Sequence, residues 1–514
     1  MSSALGTTRA SNATPDRGPA SGPDPVAGVA EGAGGGQAST SSTARARLQR
    51  NLRATGIGVF GTAVLQYALY FWIAQYFGSA SYGEFALALT LALLSAPLCD
   101  LGMNVAVVWS HARVPEALPE VVGTSLVTRL SLVVPVTGIV ALLAGVAGFG
   151  WTVLVCFVPL FLGAVLDGIS GLFSAVYQAR EQMGYSAAIM LARNVARVLA
   201  FAVCLLCGTD LLALSLALMA ASAMTALGAG IGVWRRIGVR WSRQRVAPVI
   251  RDAAPFGLAI FGNLALMQSD VLMLGALAGP AATGVYHGCF RFLIVAELLP
   301  QAITMAVMPQ FYRLGLERST KLGLFYRSQA ALLACAGVLG SALLATNADV
   351  LVALCLGEEY RSGGVILAIV APLVFLRFLI VPIGDALAGV GQQRKLTEAT
   401  WIALVVNVVT NCIVIPTYGA FGAAASTLLA QMVLFVLVAT WASRQGVELG
   451  CGRWLRPPLI AVLAGAAVHT LDLPGGGYLS LATVGIALAV LVLRSRMEEH
   501  CLVRSFVQPG AGPT

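Results

Sequence analysis

The sequence predicts an all-α, polytopic membrane bundle of about 14 transmembrane helices, arranged as two six-helix lobes plus two C-terminal helices. Three observations carry this. The 514 residues are 58% hydrophobic and only 11% charged, whereas soluble domains carry about 25% charged residues. Apolar stretches fit to cross a bilayer, which takes about 20 helical residues, recur near 54–77, 83–108, 121–146, 150–178, 185–207, 211–233, 252–278, 283–310, 328–346, 363–390, 397–415, 420–442, 457–472 and 478–493. The cations between them are sorted: 24 Lys and Arg fall in alternate gaps and flanks, and one, Arg361, falls in the others. Loops rich in Lys and Arg stay in the cytoplasm, so both termini are expected there.

Residues 1–45 are rich in Gly, Ala, Ser, Thr and Pro without apolar periodicity, which predicts a disordered cytoplasmic tail. No apolar segment precedes residue 54, so the tail does not read as a signal peptide. Arg45, Arg47, Arg50 and Arg53 hold the near side of the first span. The N-terminal lobe is expected over 50–233 and the C-terminal lobe over 252–442, separated by Arg235, Arg236, Arg240, Arg243, Arg245 and Arg251. Two additional helices are expected within 455–495, then a cytoplasmic tail over 496–514.

The two lobes read as an internal repeat. Gly78-Ser-Ala-Ser-Tyr-Gly83 joins spans one and two, and Gly279-Pro-Ala-Ala-Thr-Gly284 joins spans seven and eight, with Phe85 and Tyr286 at matching distances. The offset of about six spans suits the repeats of secondary transporters. Prolines at 97, 159, 255, 300, 372 and 382 interrupt spans, and such positions kink helices.

The chemistry of soluble enzymes is missing. Lys321 and Lys395 do not follow glycine as a P-loop requires. Gly56-Ile-Gly-Val-Phe-Gly61 fits a dinucleotide fingerprint but opens a membrane span with no preceding strand. The four histidines are scattered, and Cys204 and Cys207 lie within an apolar helix. No catalytic residue, metal site or cofactor is expected. The net charge of +9 is spread over juxtamembrane loops, which suits anionic membrane lipids rather than nucleic acid.

Ionisable residues inside spans are costly, about 2.5–3.5 kcal/mol each at a helix centre on insertion scales, and carry a functional reading by default. Arg129, Arg193, Arg197, Arg291 and Arg377 stand against Asp100, Asp167, Asp270, Glu297 and Asp385. Asp270 and Arg291 lie about eight residues from the same membrane face, about 12 Å deep, and are expected to meet as a structural pair or a protonation-sensitive latch. Arg193 and Arg197, four apart, share a helix face. Arg197 shows no evident carboxylate, and Asp385 lies two turns from Arg377. Guanidinium groups grip phosphate bidentately, so Arg193, Arg197, Arg291 and Arg377 are the candidates to line a cavity for a phosphorylated ligand.

At spans seven and eight the chain resembles the polysaccharide transporter family of the multidrug/oligosaccharidyl-lipid/polysaccharide exporter superfamily. The resemblance rests on Pro255-Phe-Gly, Gln268-Ser-Asp270 through Gly275, Thr283-Gly-Val-Tyr286, Arg291-Phe, Leu299-Pro300 and Met308-Pro309. It continues in Gly357-Glu-Glu-Tyr360, Ala388-Gly-Val-Gly391-Gln-Gln-Arg-Lys395, Asn407, Asn411 and Ile415-Pro-Thr-Tyr-Gly419. It implies an O-antigen or exopolysaccharide flippase that moves undecaprenyl-diphosphate-linked oligosaccharide repeat units across the bacterial cytoplasmic membrane by alternating access. It also implies a cationic cavity, coupling to an ion or potential gradient, and partners among polysaccharide polymerases and glycosyltransferases. An ion-coupled drug antiporter of the same superfamily is the alternative. A membrane-embedded polymerase or ligase would need a larger outer loop than residues 347–362 provide.

Overall fold

The computed structural model describes the backbone of residues 34–316 and 321–445, with side chains from residue 65 at nearly all positions. The expected spans 457–472 and 478–493 and the tail 496–514 lie outside the described residues. Among the described residues, those up to Arg50 belong to a unit separate from the rest, and the chain is helical from Gly34. From Ala44 onward Ala, Arg, Gln and Leu predominate, and these are strong helix formers.

The described chain is helical with no strand. The helices are α1 (Gly34–Asp100), α2 (Met103–Arg113), α3 (Leu118–Val146), α4 (Trp151–Ala179), α5 (Met183–Cys207), α6 (Leu211–Ile237) and α7 (Val246–Ala278). They continue with α8 (Pro280–Ala296), α9 (Leu298–Leu316), α10 (Lys321–Thr346), α11 (Ala348–Leu356), α12 (Gly363–Val370), α13 (Pro372–Gly389) and α14 (Gln393–Arg444). Among the described residues, ten helical stretches are long and apolar enough to cross a membrane. Two of them are broken internally, at Gly78 and at Gly419, where the sequence places short turns between spans. Pro97 precedes a break too: Leu101 and Gly102 take positive φ and separate α1 from α2. Pro372 instead starts α13, where a missing N–H is harmless.

Packing follows composition. Helices α2 to α6 pack chiefly on one another through α4, while α7, α9, α10, α13 and α14 pack together. The two sets meet where α2 and α3 touch α7. Val134, Leu142 and Val146 of α3 and Leu199, Val203 and Leu206 of α5 project outward uncovered. Such an apolar exterior suits lipid, because every helical backbone group is already bonded within its own segment.

The two turns on which the expected repeat rests share a backbone conformation. Gly78 (φ 75, ψ 172) and Gly279 (φ 86, ψ 174) turn the chain in nearly the same way, and L side chains rarely adopt this φ. A Cβ on Gly83 would lie 1.8 Å from the carbonyl oxygen of Pro280, and one on Gly284 would lie 2.0 Å from that of Ser79. Ser79 matches Pro280 in the repeat and Gly83 matches Gly284, so the contact is reciprocal: each half presses its second turn glycine onto the backbone of the other. Gly83→Ala and Gly284→Ala should each cost at least about 1–3 kcal/mol, the order expected for overpacking, seen as a lower Tm in detergent. Gly138→Ala, with nothing within 4 Å of its Cβ, should leave Tm unchanged or raise it.

Candidate functional site

In the first half of the chain, Asp167 of α4 is the hub. Arg197 of α5 donates Nη2 to Asp167, and Arg193 brings its Nε to 3.9 Å of the same carboxylate. The i, i+4 spacing of the two arginines places both on one side of α5. Arg197 therefore has the carboxylate that its position along the chain did not reveal. Nearby, Arg129 is bonded to Asp100 and donates to Asn104 Oδ1 at 3.2 Å. A cavity of about 490 Å³ opens between α2, α4 and α5, walled by Asn104, Ser170, Ser174, Gln178, Ile189 and Arg193. Of the four candidate arginines, Arg193 is among the residues that line it.

In the second half, Arg377 of α13 donates to Glu297 at the end of α8 and lies 5.3 Å from the ring centre of Phe290. Asp385 is not its partner. That carboxylate accepts from Thr304 Oγ1 and Gln329 Nε2, both at 2.8 Å. Thr304 and Gln329 come from α9 and α10, elements that helical spacing along α13 alone does not bring into view.

Asp270 and Arg291 do not pair. Asp270 accepts from the Tyr286 hydroxyl, from Thr427 Oγ1 at 3.1 Å and from the Val271 amide at 2.9 Å. Beside it, Ser269 donates to Asn407 Oδ1 at 2.8 Å and Asn411 donates to the same oxygen at 2.9 Å. The reason is angular. Tyr286 and Arg291 are five residues apart, about 140° around a helix of 3.6 residues per turn, so the α8 face that meets Asp270 carries Tyr286 and turns Arg291 away. The expected match in depth fails too: counted from the turn at Gly279, Asp270 lies nine residues back and Arg291 twelve residues on, about 4.5 Å apart in rise.

Arg291 points instead to where α1 crosses α8. It is buried, its guanidinium carbon is 4.1 Å from the ring centre of Tyr70, and its Nη2 is 2.8 Å from His287 Nε2. His287 Nδ1 is 3.1 Å from the Tyr82 hydroxyl. Arg291 enters no ion pair among the described residues, and its Nε has no hydrogen-bond partner there. The sequence reading passed over His287 as one of four scattered histidines, although its i, i+4 relation to Arg291 was available.

Above this crossing, on the side opposite the arginine-rich gaps, the halves are stapled. Glu359 Oε1 accepts from the Ser79 hydroxyl at 2.6 Å and the Ser79 amide at 2.8 Å. Tyr360 donates to the Ala74 carbonyl at 3.0 Å, and Gln75 donates to the Cys355 carbonyl at 2.9 Å. The Ser79 hydroxyl, and next its amide, hold the Glu359 carboxyl below its ordinary 4.5. A carboxyl lowered on folding stabilises the closed contact above about pH 4.5 and loses that contribution as pH falls through the lowered value. Glu359→Gln should therefore loosen the staple at neutral pH as acid does in the native chain. A disulfide trap between Cys replacements at Gln75 and Leu354 should form more slowly in both cases.

The family described as "Polysaccharide biosynthesis protein" matches residues 48–314, just over half of the chain. The "Probable low-salt glycan biosynthesis flippase Agl15" of Haloferax volcanii is 23% identical over 402 residues, 75% of this chain and 81% of that protein. The "Probable flippase AglR" of the same organism is 27% identical over 188 residues, 35% of this chain and 38% of that protein. Among solved structures, the lipid II flippase MurJ in an inward closed conformation superposes with TM-score 0.70 at 10% identity, over 87% of this chain and 99% of that one. An inward-facing multidrug resistance MATE transporter of the MOP superfamily gives TM-score 0.66 at 15% identity, over 77% and 99%. The structural likenesses establish the fold these proteins share. Taken with the match across residues 48–314, the chain belongs to the polysaccharide biosynthesis protein family.

Proposed function

We propose that this chain is a flippase that carries undecaprenyl-diphosphate-linked oligosaccharide repeat units from the cytoplasmic to the outer leaflet of a bacterial cytoplasmic membrane. The observation that carries this is Arg291: a buried guanidinium at the crossing of two repeats, whose described partners are an imidazole nitrogen and an aromatic ring. A cation held in an apolar interior without a carboxylate is poised for an anionic ligand, and its planar fork suits a diphosphate. The relatives named as flippases and the superposition on a lipid II flippase support the same class of cargo.

In this reading both termini are cytoplasmic, residues 50–233 and 252–442 form the moving lobes, and the Ser79–Glu359 staple closes the outer side. Arg193 and Arg291 grip the diphosphate first. Arg197 and Arg377 join only when Asp167 and Glu297 release them in another conformation. A crevice of about 760 Å³ between α3 and α7, running from Trp241 and Arg243 to Leu132, offers the isoprenoid tail an apolar wall with a cation at the headgroup level. Asp270, ringed by hydroxyl and amide donors without a cationic side chain bonded to it, is the group proposed for ion coupling. The chain works as a transporter and not an enzyme, alongside the glycosyltransferases and polymerase that make and extend its cargo.

The second reading is an ion-coupled small-molecule antiporter, favoured by the likeness to MATE transporters and by Asp270. The two separate experimentally. In a host lacking its own copy, Arg291→Gln should lower surface polysaccharide at least about tenfold at matched expression, a loss worth about 1.4 kcal/mol of binding or more, and Arg193→Gln should lower it less. Unchanged polysaccharide in both, with altered drug resistance, would favour the antiporter. Exchanging Asp270 and Arg291 should rescue nothing. Exchanging Asp167 and Arg197 should recover more folded protein than either single change, since breaking a buried pair costs about 3–5 kcal/mol.

A further inference from the structure

We infer that His287 is a positioning residue that holds Arg291 in reserve and releases it when the imidazole takes up a proton, so that proton and diphosphate bind together. The inference rests on the proposed role of Arg291 and adds a regulator to it.

The hydrogen-bond geometry fixes the starting state. Arginine has only donors. An Nη2 at 2.8 Å from Nε2 therefore requires Nε2 to be an unprotonated acceptor. In a neutral ring the proton then sits on Nδ1, which donates to the Tyr82 hydroxyl at 3.1 Å. Both ring nitrogens are thus used, in a histidine that is itself buried. A proton arriving at Nε2 turns the acceptor into a donor facing a donor and sets two cations side by side. The Nδ1–H bond to Tyr82 survives. The change is confined to the Arg291 contact, and the guanidinium leaves it, with all five N–H groups available to an anion.

The charges around His287 leave that switch to these two residues. Helix α1 presents Tyr82 to the ring, 5.6 Å between centroids, and Tyr70 to Arg291, and the hydroxyls of Tyr82 and Tyr67 also lie within electrostatic reach of the guanidinium. Tyr360 packs edge-on to Tyr82 at 6.3 Å, and its neighbour Glu359 is engaged with Ser79. From α7 the ionisable group is Asp270, bonded to Tyr286 on another face of α8. From α13 it is Arg377, bonded to Glu297. Helix α12 carries no ionisable side chain, and α14 offers Thr427, also toward Tyr286. On α8 itself Cys289 donates to the Gly363 carbonyl at 3.2 Å. Among the described residues no carboxylate is bonded to His287 or Arg291 to hold them together once both are charged. The matching positions after Gly78 are Ala86 and Thr90 where those after Gly279 are His287 and Arg291, so the first turn does not duplicate the device.

By linkage, whatever factor the proton contributes to diphosphate binding, the diphosphate contributes equally to proton uptake. The test uses the purified full chain in detergent with farnesyl diphosphate as the probe. Between pH 8 and pH 5 probe affinity should rise about tenfold in the native chain, a typical coupling between sites, because the bound diphosphate supplies the negative charge that lets the buried imidazole take up a proton beside Arg291. In His287→Gln, whose amide oxygen can still accept from Arg291 but does not titrate here, the rise should vanish, apart from the probe's own titration common to all variants. Arg291→Gln should bind weakly at every pH. If Arg291→Gln binds like the native chain, the proposed role of Arg291 falls and the switch with it. If Arg291→Gln loses affinity while His287→Gln keeps the native pH slope, the switch alone is overturned. A second measurement needs no variant at 287: with His111, His469 and His500 replaced by Gln, the ¹⁵N spectrum of the remaining imidazole should show a neutral ring protonated at Nδ1 at pH 8, and an imidazolium once probe is added near pH 7. A proton on Nε2 at pH 8, or a ring indifferent to the probe, contradicts the inference.

Discussion

The structure depends on how buried charge is matched within an apolar interior. Moving a guanidinium or carboxylate into such surroundings is costly unless a partner takes up its field. Three arginines meet that condition in the most direct way: Arg129 with Asp100, Arg197 with Asp167 and Arg377 with Glu297. Each pair ties one helix to another, so it fixes packing as well as charge. Arg291 is the exception, satisfied by an imidazole nitrogen and a tyrosine face. It is also the residue that lies at the crossing of the two halves.

That crossing is built by glycine. The reciprocal approach of Gly83 to Pro280 and of Gly284 to Ser79 brings backbone against backbone, close enough for Tyr82 of α1 to reach His287 of α8. The hydrogen bonds of Ser79, Ala74 and Gln75 to the Leu354–Tyr360 stretch then cover it on one side. The opposite side carries the arginine-rich gaps, where Arg245 bonds to Glu120 at 2.8 Å and the Arg240 amide to the Pro119 carbonyl at 3.0 Å. One end is thus held by a carboxylate reading a serine, the other by loop-to-helix contacts.

Helix positions were legible because hydropathy and turn glycines act locally. The short turns expected at 78–82, 279–283 and 416–419 coincide with the backbone breaks at Gly78, Gly279 and Gly419. The likeness of the two turns was legible for the same reason, since Gly78 and Gly279 answer to one backbone requirement. Charge partners were not. Depth along a helix follows from counting residues once its first residue is known, but azimuth between helices follows from packing, which is why Asp270 meets Tyr286 and not Arg291. The partners of Arg197 and Arg377 come from neighbouring helices and carry no sequence signal. Of the four arginines expected in a cavity, Arg193 lines one, Arg291 faces the crossing, and the other two are held by carboxylates.

The central claim is that Arg291 receives a diphosphate. The most direct measurement is a structure of the full chain determined with a polyprenyl-diphosphate oligosaccharide bound. The account predicts diphosphate oxygens within about 3 Å of the Arg291 guanidinium, a hydrogen-bonding distance for charged groups, with the contact to His287 broken. A headgroup bound elsewhere, with Arg291 still resting on His287 and Tyr70, would contradict it.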